Sequence, residues 1–316
     1  MHSHSSSPGP RHGGPKISAD SSDLSGKNFL VTGASSGIGR ATARELARRG
    51  GRVWIACRSP EKALPVLAEL RRTTPGQVEL LHLDLADLAS VRTCAASFLE
   101  RGETLDVLVN NAGIAWREGG TTRQGFELFF GVNYLGPFLL TKLLLPSLLA
   151  APFGRVVNVA SMAHYAANPI DWAALHRPTA HRLGRPEYCV SKLCNVLHAK
   201  ELARRYADTR LRAFSLHPGV VASSIWQGMP VFERWSMLLR WLVRGRLISN
   251  REGAKTTLHC AVDAGAEDNG LYFDASRPVT PSALALEPAL ALELWDRSEE
   301  WTAEGGKASR TASSQR

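Results

Sequence analysis

Tyr188 and Lys192 stand four residues apart in Tyr188-Cys189-Val190-Ser191-Lys192, a spacing that puts both side chains on one face of a helix. An unperturbed phenol has a pKa of about 10, too high for proton transfer near neutrality, and an adjacent ammonium is expected to lower it by favouring the phenolate. Ser161 directly follows the apolar run Arg155–Ala160, and its hydroxyl can hydrogen-bond a substrate oxygen. Asn133 is flanked by Phe129, Phe130, Val132 and Leu135, where an amide needs a polar task; satisfying backbone groups at a helix kink is one such task. An acid/base, a cation beside it and an orienting hydroxyl form a set that can move a proton to or from an oxygen.

A second constellation reads as a phosphate cradle. Thr32-Gly33-Ala34-Ser35-Ser36-Gly37-Ile38-Gly39 lies between a short β-branched run, Asn28–Thr32, and a helical pattern from Arg40. Glycines let the backbone approach a pyrophosphate, and the helix starting near Gly37 turns unpaired N–H groups and its positive end toward the anion. At the end of the next strand Ala56-Cys57-Arg58 has no carboxylate to hold a free ribose 2′-hydroxyl. Arg58 instead suits a 2′-phosphate, so NADP(H) is expected over NAD(H), with Arg40 as a weaker helper. Asn110-Asn111-Ala112-Gly113 ends a later strand on the same edge, and its small residues permit close contact with the cofactor.

These residues need a scaffold that brings several strand ends to one edge, and the chain provides the pattern. Strand signals at Asn28–Thr32, Arg52–Ala56, Val78–Leu83, Leu105–Asn110, Arg155–Ala160, Leu211–His217 and Gly270–Asp274 alternate with helical ones. The helical segments are Arg40–Arg49, Pro60–Arg72, Ser90–Arg101, Phe126–Thr141 with another apolar segment to Ala150, Glu187–Tyr206 and Arg251–Val262. Alternation of this kind predicts an α/β fold, a doubly wound parallel sheet of Rossmann-like type with helices on both faces. One domain over residues 25–302 is expected, with a small helical substrate lid near residues 225–247. A disordered tail is expected over residues 1–24, which are rich in Ser, Gly, Pro and His, and a flexible tail over residues 303–316.

The formal net charge is +9, from 38 Lys and Arg against 29 Asp and Glu. Both tails contribute little, so the excess belongs to the body, where a phosphate-rich cofactor accounts for part of it. No run of five basic residues and no nucleic-acid motif is present, so nucleic acid is not an expected partner. Five cysteines, odd in number and without a C-x-x-C pair, suit a reduced cytoplasmic setting, and no clustered ligands suggest a metal. The apolar stretch from Leu135 to Ala151 is interrupted by Pro137, Lys142 and Pro146 and reads as a buried core helix rather than a membrane span.

Taken in order, Thr32-Gly33-x-x-x-Gly37-x-Gly39, Asn110-Asn111-Ala112-Gly113, Asn133, Ser161, Tyr188-x-x-x-Lys192 and His217-Pro218-Gly219 resemble the short-chain dehydrogenase/reductase family across about residues 27–275. Looser strings, among them Val157-Asn-Val-Ala-Ser161-Met-Ala-His164 and Arg251-Glu-Gly-Ala254, are similar to the retinol dehydrogenase-like branch. The resemblance implies that Tyr188 exchanges a proton with the substrate oxygen. It implies that Lys192 lowers the phenol pKa and binds the nicotinamide ribose, that Ser161 orients the substrate, and that Asn133 holds a water linking Lys192 to solvent. It also implies that Asp84, followed by Leu85, contacts adenine (a helix N-cap is the alternative), and that Pro218, Gly219, Val221 and Ser223 border the carboxamide.

Substrate choice is expected in two segments: Ala166–Arg185, with Trp172 and His176, and Ile225–Leu247, with Trp226, Trp235 and Trp241 among arginines. The second can cover a lipophilic carbonyl or alcohol, pack on the core, pair two subunits of a homo-oligomer, or touch a membrane surface peripherally. The competing expectation is a catalytically silent cofactor-binding regulatory protein, or a membrane-surface protein, on the same fold.

Overall fold

The computed structural model describes residues 23–221, 235 and 247–303. The expectations for residues 1–22, for Ser223, for nearly all of the lid and for the final tail therefore lie outside the described residues.

β-Branched and apolar runs with buried side chains on both faces form the strands of a mostly parallel sheet. In chain order these are β1 (Asn28–Thr32), β2 (Arg52–Cys57), β3 (Val78–His82), β4 (Val107–Asn110), β5 (Arg155–Val159), β6 (Arg212–His217), β7 (Val220–Val221), β8 (Leu247–Ile248), β9 (Tyr272–Asp274) and β10 (Arg277–Val279). The eight-stranded sheet runs β10-β9-β6-β5-β4-β1-β2-β3, and β7 pairs with β8 separately. Only β10 is antiparallel to its neighbour in the large sheet. The order reverses between β1 and β4, whose register pairs Phe29 with Val107 and Val31 with Val109. A crevice opens at the carboxyl ends of strands at such a reversal.

The period of two along β1 divides the core: Leu30 faces one apolar cluster, Phe29 and Val31 the other. Helices α1 (Gly37–Arg48), α2 (Pro60–Thr73) and α6 (Asn250–Leu258) cover one face. Helices α3 (Leu88–Leu99), α4 (Leu128–Ala150), α5 (Arg185–Arg205) and α7 (Pro288–Trp301) cover the other. Helix α4 is long and apolar enough to cross a membrane, yet 83% of its most apolar window is buried within the fold, as a core helix requires.

Besides the short pair β7–β8 and a π-helical turn at His259–Asp263, three features were not anticipated. The first is β10. The second is a π-helical turn, Gly131–Leu135, inside α4. The third is α7, which starts with Pro288 and buries Ala291, Leu294, Trp295 and Ser298, an i, i+3, i+4, i+7 stripe. Trp172 and His176, expected at the substrate cleft, belong to this third feature. The His176 ring lies 5.1 Å from that of Trp301, and Trp172 lies 6.4 Å from the same indole and under the Arg297 guanidinium. They anchor the C-terminal helix, because aromatic surface finds more burial there than at an open cleft.

At β5 a buried polar chain joins four elements, β4, α4, β5 and α5. The Asn110 amide donates to Thr141 and Asn158, and the Asn158 amide meets His198 Nδ1 at 3.2 Å. Burial holds the His198 imidazole down to about 3, so it is neutral in the fold. The unfolded chain, with a His pKa of about 6.5, takes up the proton first on acidification, and stability is lost as pH falls below that value. Burial lowers His164 and His217 in the same direction. Denaturant unfolding at pH 7 and pH 5 is expected to show wild type losing about 2 kcal/mol more than His198→Gln, which keeps an acceptor but does not titrate. Equal losses would remove His198 from this account.

Candidate functional site

Thr32 ends β1 with its hydroxyl accepting the N–H groups of Asn111 (3.0 Å) and Ala112 (2.9 Å), while the Asn111 amide donates to the Thr32 carbonyl at 2.8 Å. This clasp joins the ends of β1 and β4 and leaves no space above it. A Cβ on Gly39 would stand 2.4 Å from Asn111 Nδ2 and 2.7 Å from the Gly33 carbonyl oxygen, and one on Gly33 would stand 2.8 Å from Ala112 Cα. Gly33 and Gly37 also adopt φ of 68° and 59°, the left-handed region that favours glycine. Ser36 then precedes α1 in an extended conformation, so the N-terminus of a twelve-residue helix faces the crevice.

A cleft of about 1290 Å³ follows this edge, larger than the roughly 300–1,000 Å³ of a drug-sized pocket. It is lined by Gly33, Ser35, Ser36, Gly37, Ile38 and Gly39 at its floor, and by Arg58, Asp84 and Leu85 at one end. Asn111, Ala112, Gly113, Pro218, Gly219 and Val221 lie along it, with Ser161, Tyr188 and Lys192 beyond. Arg40 apart, all the described residues expected to meet the cofactor therefore border one cavity. A glycine floor without room for side chains, a helix N-terminus above it and a cationic end fit a dinucleotide phosphate. Arg58 is exposed and has no ion pair among the described residues, and Ser59 and Lys62 line the cleft beside it. Arg40, by contrast, bonds to Glu69 of α2 and is committed to holding two helices together. Asp84 accepts the Ala86 N–H at 3.0 Å, and the N-cap of α3 is Asp87, so the N-cap alternative for Asp84 does not hold.

The residues expected to be catalytic are brought together by α4, α5 and the turn after β5. The Ser161 hydroxyl accepts the Ala163 N–H at 3.1 Å and hydrogen-bonds the Tyr188 phenol. Lys192 donates to the Val159 carbonyl at 2.9 Å, and its nitrogen lies 5.7 Å from the Tyr188 ring centroid. Tyr188 is 8% exposed and Lys192 3%. Burial therefore dominates their ionisation. It pushes the Tyr188 phenol up to about 12, opposed by the Ser161 hydrogen bond, and it holds the Lys192 ammonium down to about 8. The expectation of a phenol lowered by its lysine is thus corrected, since desolvation outweighs proximity here.

Asn133 is not a lone buried amide. Its Oδ1 accepts the Ile114 N–H at 2.8 Å, and its Nδ2 donates to the Ile114 carbonyl at 3.0 Å and to Ser191 Oγ at 2.9 Å. It clamps the loop after β4 onto α4 and α5 from within the π-helical turn. Sequence reasoning missed two further groups. His164 is fully buried, with Nδ1 2.7 Å from the Ser161 carbonyl and Nε2 accepting the Ser282 N–H at 3.1 Å, so it holds the serine from behind. Trp116 and Arg117 line the cleft next to Tyr188, and no spacing rule carries a loop residue to that position; Arg185, the last residue of the segment expected to choose substrate, lines it too.

A family model described as short chain dehydrogenase matches residues 27–230. Human retinol dehydrogenase 11 is 42% identical over 277 residues, which are 87% of this chain and 85% of the relative. Human dehydrogenase/reductase SDR family member 13 is 42% identical over 88% of this chain and 73% of its own. Among solved structures, an uncharacterized protein from Mycobacterium paratuberculosis superposes with a TM-score of 0.70 at 34% identity, covering 90% of this chain and 96% of that one. An angucycline C-6 ketoreductase with bound NADP gives a TM-score of 0.65 at 26% identity, covering 80% of this chain and 95% of its own.

The glycine floor makes a direct test. Gly39→Ala is expected to abolish the thermal shift given by NADPH and to cost about 1–3 kcal/mol of stability, because the new methyl must displace Asn111 or the Gly33 carbonyl. Gly102→Ala, at positive φ but with open space around it, should cost about 1 kcal/mol and keep the NADPH shift. A full shift in Gly39→Ala would show that the floor does not hold the cofactor.

Proposed function

Because the chain belongs to the short chain dehydrogenase family and is an NAD(P)-dependent oxidoreductase acting on CH–OH donors, we propose that it uses NADP(H) by preference and reduces apolar carbonyls, with Tyr188 as the acid. The observation that carries this reading is the buried Tyr188 phenol, hydrogen-bonded to Ser161 and facing the cleft floored by the glycine loop. When bound, the nicotinamide supplies the hydride that goes to the carbonyl carbon.

The side chains account for the rest. A substrate oxygen beside Ser161 and Tyr188 receives a hydrogen bond from each hydroxyl, which fixes its position and draws charge onto it. A phenol held near 12 is protonated at neutral pH, the state needed to give a proton to the developing alkoxide. Lys192 is protonated below about pH 8 and stabilises the phenolate left behind. Asn133 serves the return of the proton. Pro137 has no N–H to offer the Asn133 carbonyl four residues back, which leaves that oxygen for a water leading from Lys192 outward.

Arg58 supports the choice of NADP. Its guanidinium, without an ion pair among the described residues and with Ser59 and Lys62 beside it, suits a 2′-phosphate, and no carboxylate ends β2 to repel one. The names of the relatives, retinol dehydrogenases among them, support a lipophilic substrate. Five buried free thiols support a cytoplasmic setting.

Turnover of an aliphatic and aromatic carbonyl panel with NADPH tests the reading. Tyr188→Phe should lower kcat by about 10³-fold or more while leaving NADPH affinity within a few-fold; wild-type rates in that variant would end the proposal. Carbonyl reduction should hold steady up to about pH 8 and decline above it, as Lys192 loses its proton, whereas alcohol oxidation should rise with pH because it needs the phenolate. Arg58→Ala should raise KM for NADPH about 10-fold or more and leave that for NADH nearly unchanged; unchanged NADPH kinetics would remove Arg58 from the argument.

A further inference from the structure

Beyond Ser161 and Tyr188 the cleft is walled by Trp116, Met162, Ala163, Ala166 and Leu183, and two guanidiniums, Arg117 and Arg185, complete that end. Neither arginine makes an ion pair among the described residues. Glu118 also borders the cleft and pairs with neither. The apolar wall with two unpaired cations at its edge is not what a wholly neutral substrate calls for.

Both arginines spring from backbone that the fold holds rigidly. Asn133 grips Ile114 through both its N–H and its carbonyl, and Ala115 is buried. Trp116 then adopts a φ of 51°, a left-handed conformation that costs a bulky residue of order 1–2 kcal/mol and persists only where surroundings enforce it. The indole lies 6.2 Å from the Tyr188 ring, and Arg117 follows at once, exposed at the cleft edge. On the other side Gly184, with φ 59°, caps α5, and a Cβ there would clash with the Phe129 ring, so the start of the helix is packed tightly against α4. Arg185 is its first residue and lies three before Tyr188, on the same face. Its charge reaches the next turn, where it draws down the Cys189 thiol against the effect of burial.

We infer that the substrate carries a carboxylate at the far end of an apolar body from its carbonyl, held by Arg117 and Arg185. This rests on the hydride-transfer reading above and names the substrate class of that same site. A planar guanidinium takes a carboxylate in paired N–H···O bonds. The distal anion also fixes which way an otherwise featureless apolar chain lies, so that its carbonyl meets Ser161 and Tyr188 rather than solvent. Because the carboxylate is bound alike before and during hydride transfer, it acts on KM and leaves kcat nearly unchanged.

The test compares three probes of equal chain length with NADPH: a straight-chain aldehyde, the matching ω-oxo carboxylate, and the methyl ester of that acid. Wild type is expected to favour the acid over the ester about tenfold in kcat/KM, through KM, with the preference shrinking as salt rises. The ratio should fall to about one in the double variant Arg117→Gln/Arg185→Gln and be partly restored in Arg117→Lys/Arg185→Lys. Because each ratio is taken within one protein preparation, loss of folded protein does not alter it. Equal rates for acid and ester in wild type, or a preference that survives the double Gln variant, would overturn the inference while leaving the carbonyl reductase reading standing. No turnover of any probe would overturn both.

Discussion

The clasp between Thr32 and Asn111–Ala112 is the constraint on which the site depends. Three hydrogen bonds hold the ends of two parallel strands so closely that the loop crossing them has no room for side chains at Gly33 or Gly39. The sheet order reverses at this same pair of strands, so the clasp sets the floor of the cleft that every later element must border. A serine in place of Thr32 would keep the acceptor. A valine would keep the shape but strand the Ala112 N–H, an expensive loss for a part-buried donor, while the Asn111 N–H would keep only the Val109 carbonyl at 3.0 Å.

The second organising effect is desolvation. Tyr188 and Lys192 are both buried, and the shift of each runs toward its own neutral form: the phenol up, the ammonium down. In water a phenol near 10 and an ammonium near 10.4 hardly differ. In the cleft the order is inverted and widened. At neutral pH the pair holds two protons, one on each group, which suits proton donation to a substrate oxygen. A site built to run mainly as a base would instead need the phenol lowered. Proximity alone, the argument available from i and i+4 spacing, does not decide between these two outcomes; burial does, and it is set by Phe129, Ala115 and the loop that Asn133 clamps.

What the sequence disclosed follows from which interactions are local. The seven central strands and the helices between them were legible because each carries its own apolar period and its own turn residues. The glycine loop was legible because its requirement is steric and confined to eight residues. The tyrosine, lysine and serine were legible because helix spacing and strand ends assign them to one edge. Interactions formed between distant segments were not. Arg40 looked free to meet a phosphate until Glu69, twenty-nine residues away on α2, took it. Trp172 and His176 looked like cleft residues until α7 offered them Trp301 and Arg297. That helix was itself obscured, since its Ala-Leu-Glu composition shows a buried stripe only once Pro288 is taken as its start.

Asn133 shows how one residue joins these levels. A proline at position 137 would ordinarily damage a helix interior by removing an N–H and crowding the turn before it. Here a π-helical turn absorbs the defect, with the Gly136 N–H reaching back to Gly131. The widened turn carries Asn133 to where its amide spans the loop after β4 and the Ser191 hydroxyl of α5. One irregularity in α4 therefore fixes the loop that bears Trp116 and Arg117 and steadies the helix that bears Tyr188 and Lys192. A regular helix through this segment would rotate the amide away from Ile114. The strained backbone at Trp116 would then have nothing to hold it, and the wall of the cleft next to the phenol would relax.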